Sequence, residues 1–300
     1  MNDSAFLGVP AGFLAFTTDS FVVDPLFFPG GDIGRLAVCG TVNDLAVSGA
    51  NPLAISAGFI LEEGLALDDL KRVVRSMRQA ADEAGVRIVA GDTKVVQKGK
   101  GDGIFINTSG IGVFGAGQRP VRGNGARPGD AVVVNGPIGR HGLAVLLARG
   151  NLGLEETIHS DVAPLGGLVR AMLAAAEVHA MRDATRGGLG VVLNEIAGQS
   201  GVCVEIDEEA LPVQEDIRAA CELLGLDPLY VANEGVLAAF TPGEQAGTLV
   251  SAMRGVPQGA GAGVIGRVIP EPRGRVFLKT RLGSRRIVDM ISGEQLPRIC

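Results

Sequence analysis

A mixed α/β or α+β fold in two domains is what this sequence predicts, from three observations. Apolar runs of strand length alternate with helix-length stretches along most of the chain. Domains usually run about 100–200 residues, so 300 residues make two the natural count. A Gly/Arg/Pro-rich segment, GAGQRPVRGNGARPGD at 115–130, marks a boundary between them. The expected division is 1–118, 119–290, and a tail at 291–300.

Strand-like runs fall at 13–17, 52–61, 86–90, 104–114, 131–134, 201–206, 235–240, 262–269 and 275–279. Helices are predicted at 33–49, 68–84, 139–149, 164–176, 187–198, 213–224 and 243–254. Within 68–84, Leu70, Val73, Val74, Met77, Ala81 and Ala84 form one apolar stripe at helical spacing. In 213–224 the same period runs through Val213, Ile217, Ala220, Cys221 and Leu224, which assigns Cys221 to the core. The tail ISGEQLPRIC has no periodicity and is predicted to be mobile.

Composition excludes several function classes. The net charge is −6, Trp is absent and there is one Tyr, so the basic stripe and stacking aromatics of a nucleic-acid binder are missing. No run approaches the roughly 18 apolar residues of a membrane span. The start MNDSAFLGVPAGFLAF has no basic region or cleavage site of a secretory signal. Cys39, Cys203, Cys221 and Cys300 lie in no CxxC or Cys/His cluster. Free thiols in a reducing, cytoplasmic setting follow.

Acidic residues at the ends of apolar runs are the chemical signal of the first half: Asp19 in FTTDSFV, Asn43 and Asp44 in GTVNDLAVSGANP, and Asp92 in VAGDTKVV. Hard cations such as Mg²⁺ take oxygen ligands and bridge to phosphates. Gly40 and Ala37 lie one turn before Asp44 and leave room for an anion–metal cluster. Each acid could instead be a cap or turn residue. An Asn-Asp pair inside an apolar helix is harder to read that way, because buried unpaired polar groups cost about 1–3 kcal/mol each.

The second half carries two glycine-flanked turns, VVVNGPIGRHGLAVLL and MRDATRGGLGVVLNEIA. A helix N-terminus behind glycines can receive a phosphate. Neither turn matches a P-loop or a Rossmann fingerprint. Asp183 could serve there or cap the following helix. His141 could contact phosphate or simply begin its helix. Lys94 could neutralise a transferring phosphoryl group or be solvated surface. Glu234, between apolar runs, suits a general base, since such an acid tends toward a raised pKa; it could also be a turn carboxylate. Cys300 is either an accessible carrier thiol or an end without a role. Arg298 favours its thiolate and the neighbouring carboxylate opposes it.

Taken together, residues 16–56, GVRIVAGDTKVVQKG (85–99), DATRGGLGVVLNEIA (183–197), ANEG (232–235) and PRIC (297–300) resemble the HypE family of hydrogenase-maturation proteins. That family is part of the aminoimidazole-ribonucleotide-synthetase-like (PurM-like) superfamily. The likeness spans nearly the whole chain. It implies a homodimer whose N-terminal domains pair into a β-barrel. It implies ATP and Mg²⁺, with Asp44, Asp92 and Asp19 on the metal. Asp3, Asp19, Asn43, Thr93, His141 and Asp183 would serve the nucleotide and its phosphates. It also leads us to expect a glycine-rich stretch ahead of MNDSAFL, and so a shortened start. The implied reaction is ATP-dependent dehydration of a carbamoyl group on the sulfur of Cys300 to a thiocyanate; from their own positions, Glu234 between apolar runs is our choice for its base and Lys94 beside Asp92 for its cation. The implied partners are a carbamoyltransferase of the HypF type and a HypC–HypD complex, whose iron would receive the cyanide for a nickel–iron hydrogenase. Two alternatives stay open: a small-molecule kinase or synthetase like selenophosphate synthetase or thiamine-phosphate kinase, and a non-catalytic carrier or scaffold.

Overall fold

The computed structural model describes residues 2–9, 12–150, 158–291, 296 and 298–300. The chain divides into two compact units. An N-terminal unit holds residues 3–120, 141–166 and 296–300; a C-terminal unit holds 1–2, 121–140 and 167–295. The edge at 120/121 lies beside the boundary expected from composition. Residues 141–166 and 296–300 group with the N-terminal unit, so the units are not continuous along the sequence.

In the N-terminal unit the strands are β1 (Ala5–Val9), β2 (Gly12–Phe21), β3 (Phe27–Phe28), β4 (Gly31–Asp32), β5 (Asn51–Glu62), β6 (Arg87–Val96) and β7 (Ile104–Val113). Five of them form a sheet of order β1-β2-β7-β5-β6, in which only β5 and β6 run parallel. Helices α1 (Ile33–Val47) and α2 (Leu67–Ala84) accompany it. Asp32 caps α1 by accepting from the amides of Gly34 and Arg35. All of α1's residues except Arg35 and Asp44 are buried. Its contacts to the sheet are side chains on one face: Thr41 and Leu45 fill the space beside Gly110. The other face is open, with Phe16, Leu53, Ile60 and Ile111 exposed.

The predicted stripe on α2 buries Val73, Met77 and Ala81, while Val74 is exposed. Strand β6 runs on through Asp92, so this residue lies within a strand rather than at its end. Helix α3 (Arg140–Gly150) begins at the edge of the C-terminal unit and continues in this one.

The C-terminal unit has strands β8 (Asp130–Val134), β9 (Ala180–Asp183), β10 (Cys203–Asp207), β11 (Leu237–Pro242), β12 (Gly263–Ile269), β13 (Arg275–Lys279) and β14 (Arg285–Ile287), in the order β14-β13-β10-β12-β8-β11-β9. Its helices are α4 (Gly166–Ala175), α5 (Gly188–Ser200), α6 (Glu215–Leu224) and α7 (Ala246–Arg254). Leu189, Val192, Leu193 and Ile196 of α5 pack with Val132, Val204 and Phe240 of the sheet. Cys221 is buried, and burial pushes its thiol up to about 11. All seven predicted helices form. The sequence reading omitted β1, β3, β4, β9 and β14, none longer than five residues and so too short to show as an apolar run.

Phe240 is fully buried at the middle of β11. Phe240→Ala is expected to cost about 3–5 kcal/mol through lost transfer energy and a residual cavity. A lowered urea midpoint followed by circular dichroism checks this.

Candidate functional site

Strand alternation decides which acidic residues of the N-terminal unit can act together. Thr17, Asp19 and Phe21 share the face of β2 that meets α1. The Thr17 hydroxyl lies 2.7 Å from a carboxylate oxygen of Asp44 and 3.0 Å from the carbonyl of Asp3. The Ser4 hydroxyl donates to the Asp44 carbonyl at 3.0 Å. A carboxylate oxygen of Asp3 and one of Asp44 lie within 4.8 Å of each other. Two such oxygens, on partly exposed residues, are a hard donor set that a divalent cation would neutralise.

Asp92 lies on the other face. Ser20 pairs with Asn107, Asn107 with Gly58, and Gly58 with Asp92, so these four residues form one lateral row across the sheet. That row belongs to the open face, opposite Asp19. The expected joining of Asp19, Asp44 and Asp92 in one metal set therefore does not occur within a chain. On the open face Lys94 donates to Asp92 at 2.7 Å, and this bond, with the Thr93 amide, lowers the Asp92 pKa. The hydroxyl-bearing Thr93 points to the opposite face of β6 by alternation. Asp92 and Lys94 line a cavity of about 380 Å³ with Ser20, Val22, Phe105 and Asn107.

Three further readings are corrected. The room beside Gly40 is taken by the Phe21 ring, which a Cβ there would meet at 2.8 Å, so it holds no anion–metal cluster. Asn43 is buried and clamps a loop: its amide donates to the Ala163 carbonyl at 3.0 Å and its oxygen accepts from the Leu165 amide at 2.8 Å. That is a structural use, and it replaces the phosphate role. His141 is fully buried, with Nδ1 2.8 Å from the Ser160 hydroxyl and Nε2 2.6 Å from the Ile299 carbonyl. A ring committed on both nitrogens is not a phosphate contact.

The described end of the tail is seated in the N-terminal unit. The Val22 amide donates to a main-chain oxygen of Cys300 at 3.1 Å, and the Asp24 amide to the Arg298 carbonyl at 3.2 Å. Arg149 also donates to the Arg298 carbonyl, and Arg298 pairs with Asp102 at 2.8 Å. Of the segment predicted to be mobile, 292–295 and 297 lie outside the described residues. Ile299 is buried and Cys300 half-buried, while Cys39, Cys203 and Cys221 are all buried.

Asp183 and Glu234 lie in the C-terminal unit, at one end of the β9–β11 ladder, and both are buried. Asp183 is the last residue of β9; Gly187 occupies the cap position of α5, so Asp183 is not that helix's cap. Asn233, beside Glu234, accepts from the Gly139 amide at 2.7 Å and donates to the Ala184 carbonyl at 2.8 Å. Gly188, at φ 61°, admits the carbonyls of Leu229 and Val231 where a Cβ would sit 2.6 Å away.

Thr17, Val22, Arg149 and Ser160 were missed in the sequence. Thr17 was findable, being two residues before Asp19 on the same strand face. The others act through backbone or across distant segments and leave no local pattern. Among the described residues, no helix is long and apolar enough to cross a membrane.

Comparison with known proteins gives matches over both units. The AIR synthase related protein N-terminal domain matches residues 1–114, and the C-terminal domain of the same family matches 127–279. Carbamoyl dehydratase HypE of Azotobacter vinelandii is 56% identical over 300 residues, which is all of this chain and 88% of that protein. The solved structure of hydrogenase maturation protein HypE in complex with ATP is similar at 49% identity and TM-score 0.92, covering 100% of this chain and 90% of that one. A chain of the solved HypE–HypF complex is similar at 49% identity and TM-score 0.91, covering 96% of this chain and 93% of that one.

Desolvation lowers the His141 pKa from 6.5 to about 4, against a smaller opposing effect of the Ile299 carbonyl. The unfolded chain therefore binds a proton between these values that the folded one does not. Stability is full above pH 6.5 and falls as pH drops through this window, by at most about 1.4 kcal/mol per unit from this group. Chemical denaturation from pH 4.5 to 7.5 should show a shallower slope in His141→Gln than in wild type.

Proposed function

The chain belongs to the HypE carbamoyl dehydratase family of hydrogenase-maturation proteins, and from that premise we propose that it dehydrates a carbamoyl group carried on the sulfur of Cys300. ATP is the co-substrate. The carbamoyl oxygen attacks the γ-phosphorus of ATP and ADP leaves. The carbamoyl nitrogen then loses its protons, the C–O bond breaks with release of phosphate, and a thiocyanate remains on Cys300. The oxygen that would have left as water leaves in phosphate, which is how an uphill dehydration is driven.

One observation carries this reading. A main-chain oxygen of Cys300 accepts from the Val22 amide, and Val22 lines the same cavity as Asp92 and Lys94. A cation beside that cavity suits the charge that grows on an oxygen under phosphorylation. Lys94 is assigned that role, and its pairing with Asp92 fixes its position. Glu234 is assigned as the base, because its buried setting suits general-base work. Asp3 and Asp44 would hold Mg²⁺, which would supply charge neutralisation at the ATP phosphates. Asp19, Thr93 and Asp183 keep the nucleotide roles implied by the resemblance.

The partners follow the same reading. A HypF-type carbamoyltransferase loads Cys300, and a HypC–HypD complex receives the cyanide. The open sheet face, with Phe16, Leu53, Ile60 and Ile111 exposed, supports a homodimer formed through it. A cytoplasmic location fits a chain with four free cysteines. The kinase alternative leaves the seating of Cys300 against Val22 without a purpose, and the scaffold alternative leaves the Asp3–Asp44 pair without one.

Cys300→Ala is expected to abolish cyanide transfer while fold and oligomeric state persist; transfer at wild-type levels would sink the carrier role. In single-turnover mixtures, intact mass should show Lys94→Ala stalled at the carbamoyl adduct, one water heavier than the thiocyanate. Glu234→Gln should form thiocyanate slower by roughly 10²–10⁴. A wild-type rate would remove Glu234 as base. Asp44→Asn should weaken Mg-ATP binding in calorimetry by about tenfold, the worth of one charge-assisted contact, with little change in melting temperature without nucleotide.

A further inference from the structure

The tail is seated by three successive main-chain oxygens, and they are held in two different ways. Those of Arg298 and Cys300 accept from the backbone amides of Asp24 and Val22, as in an added antiparallel strand. Carbonyls alternate in direction along such a segment, so that of Ile299 points away from residues 22–24. It points into the N-terminal unit, where Ile299 is 4% exposed, and meets His141 Nε2 at 2.6 Å. A carbonyl only accepts, so Nε2 carries the proton. The neutral ring then accepts at Nδ1 from the Ser160 hydroxyl at 2.8 Å.

Each member of this chain is itself fixed. Ser160 Oγ accepts from the Val162 amide at 3.1 Å, and the Ser160 amide donates to the Pro29 carbonyl at 2.8 Å. Gly30, at φ 88°, lets that backbone approach to where a Cβ would sit 2.7 Å from the Ser160 nitrogen. The edge of the His141 ring meets Phe28, with centroids 5.4 Å apart at 83°. Against these contacts stands Arg298 at φ 55°, a backbone region that costs a residue bearing a Cβ. The seated tail must be held by its contacts.

We infer that His141, locked by Ser160 as the Nε2–H tautomer, is a positioning residue that latches the Ile299 carbonyl and so presents Cys300 beside Val22. The inference rests on the proposed carrier role of Cys300 for its catalytic meaning, but the latch is a separate physical claim. His141 touches no reacting atom; it acts through the tail backbone. Losing its N–H leaves a buried carbonyl without a donor, which shifts the seated–released balance by about 10- to 100-fold.

The test is the rate at which iodoacetamide alkylates Cys300 in the full-length protein, read by peptide mass, with thermal melting to confirm folding. His141→Phe should raise that rate by about tenfold or more, to the limit of a fully released tail. His141→Gln, whose amide can donate from the Nε2 position, should return it close to wild type. A wild-type rate in folded His141→Phe overturns the latch, and so does an equal rise in His141→Gln. Should His141→Phe not fold, Ser160→Ala decides: a rise of about threefold or more supports the latch, and an unchanged rate overturns it.

Single-turnover dehydration on pre-carbamoylated protein gives the second readout. The His141→Phe rate should fall in step with tail release while ATP affinity is unchanged, and His141→Gln should restore it. Faster alkylation with no dehydration even in wild type would leave the latch standing and sink the carrier reading. Normal wild-type dehydration with alkylation unmoved by His141→Phe would do the reverse.

Discussion

Helix α1 is buried along almost its whole length, and the chemistry of the N-terminal unit is set out from that one packing constraint. A helix buried on nearly every side has no sliding freedom, because each small residue fits a particular neighbour. Gly34 admits the Val73 carbonyl, and Gly40 admits the Phe21 ring. Thr41 meets Thr108, whose hydroxyl also reaches the Ala37 carbonyl. With the register fixed, Asp44 is the acid that emerges partly exposed, beside Thr17 and Asp3. Asn43, one position earlier, turns inward.

That inward turn carries the constraint onward. The Asn43 amide fixes the backbone at 163–165, and Arg35 of the same helix donates to the Val162 carbonyl at 3.1 Å. The loop so held includes Ser160, which orients His141, which meets the tail. A single helix therefore governs both the acidic pair and the seat of Cys300. The polar residues inside it have partners, as buried polar groups must.

The sheet supplies the second division. Its alternation places Asp3, Asp44 and Asp19 on the helix side, and Asp92 with Lys94 on the open side. The two groups serve different purposes in the proposed reaction: oxygen donors for a cation on one face, and a positioned ammonium near the tail on the other. Ile60, one of the exposed apolar residues of the open face, pairs with Lys94 and lines its cavity, so a partner copy covering that face would also enclose the cavity.

The sequence alone determined the mixed fold, the seven helices, most long strands and the core place of Cys221, because these follow from local periodicity and from glycines that end each run. It also singled out Asp44 by its place inside an apolar helix, whereas Asp3, its neighbour in the fold, came only through the family resemblance. What it could not decide was company. Asp92 lies in the same kind of motif as Asp19, yet a lateral row through Ser20, Asn107 and Gly58 puts it on the other face. Asn43 and His141 have the residue types of ligand contacts, and burial turned both into clamps. His141 meets Ile299 across 158 residues, and strand register and helix packing, not spacing along the chain, bring such pairs together.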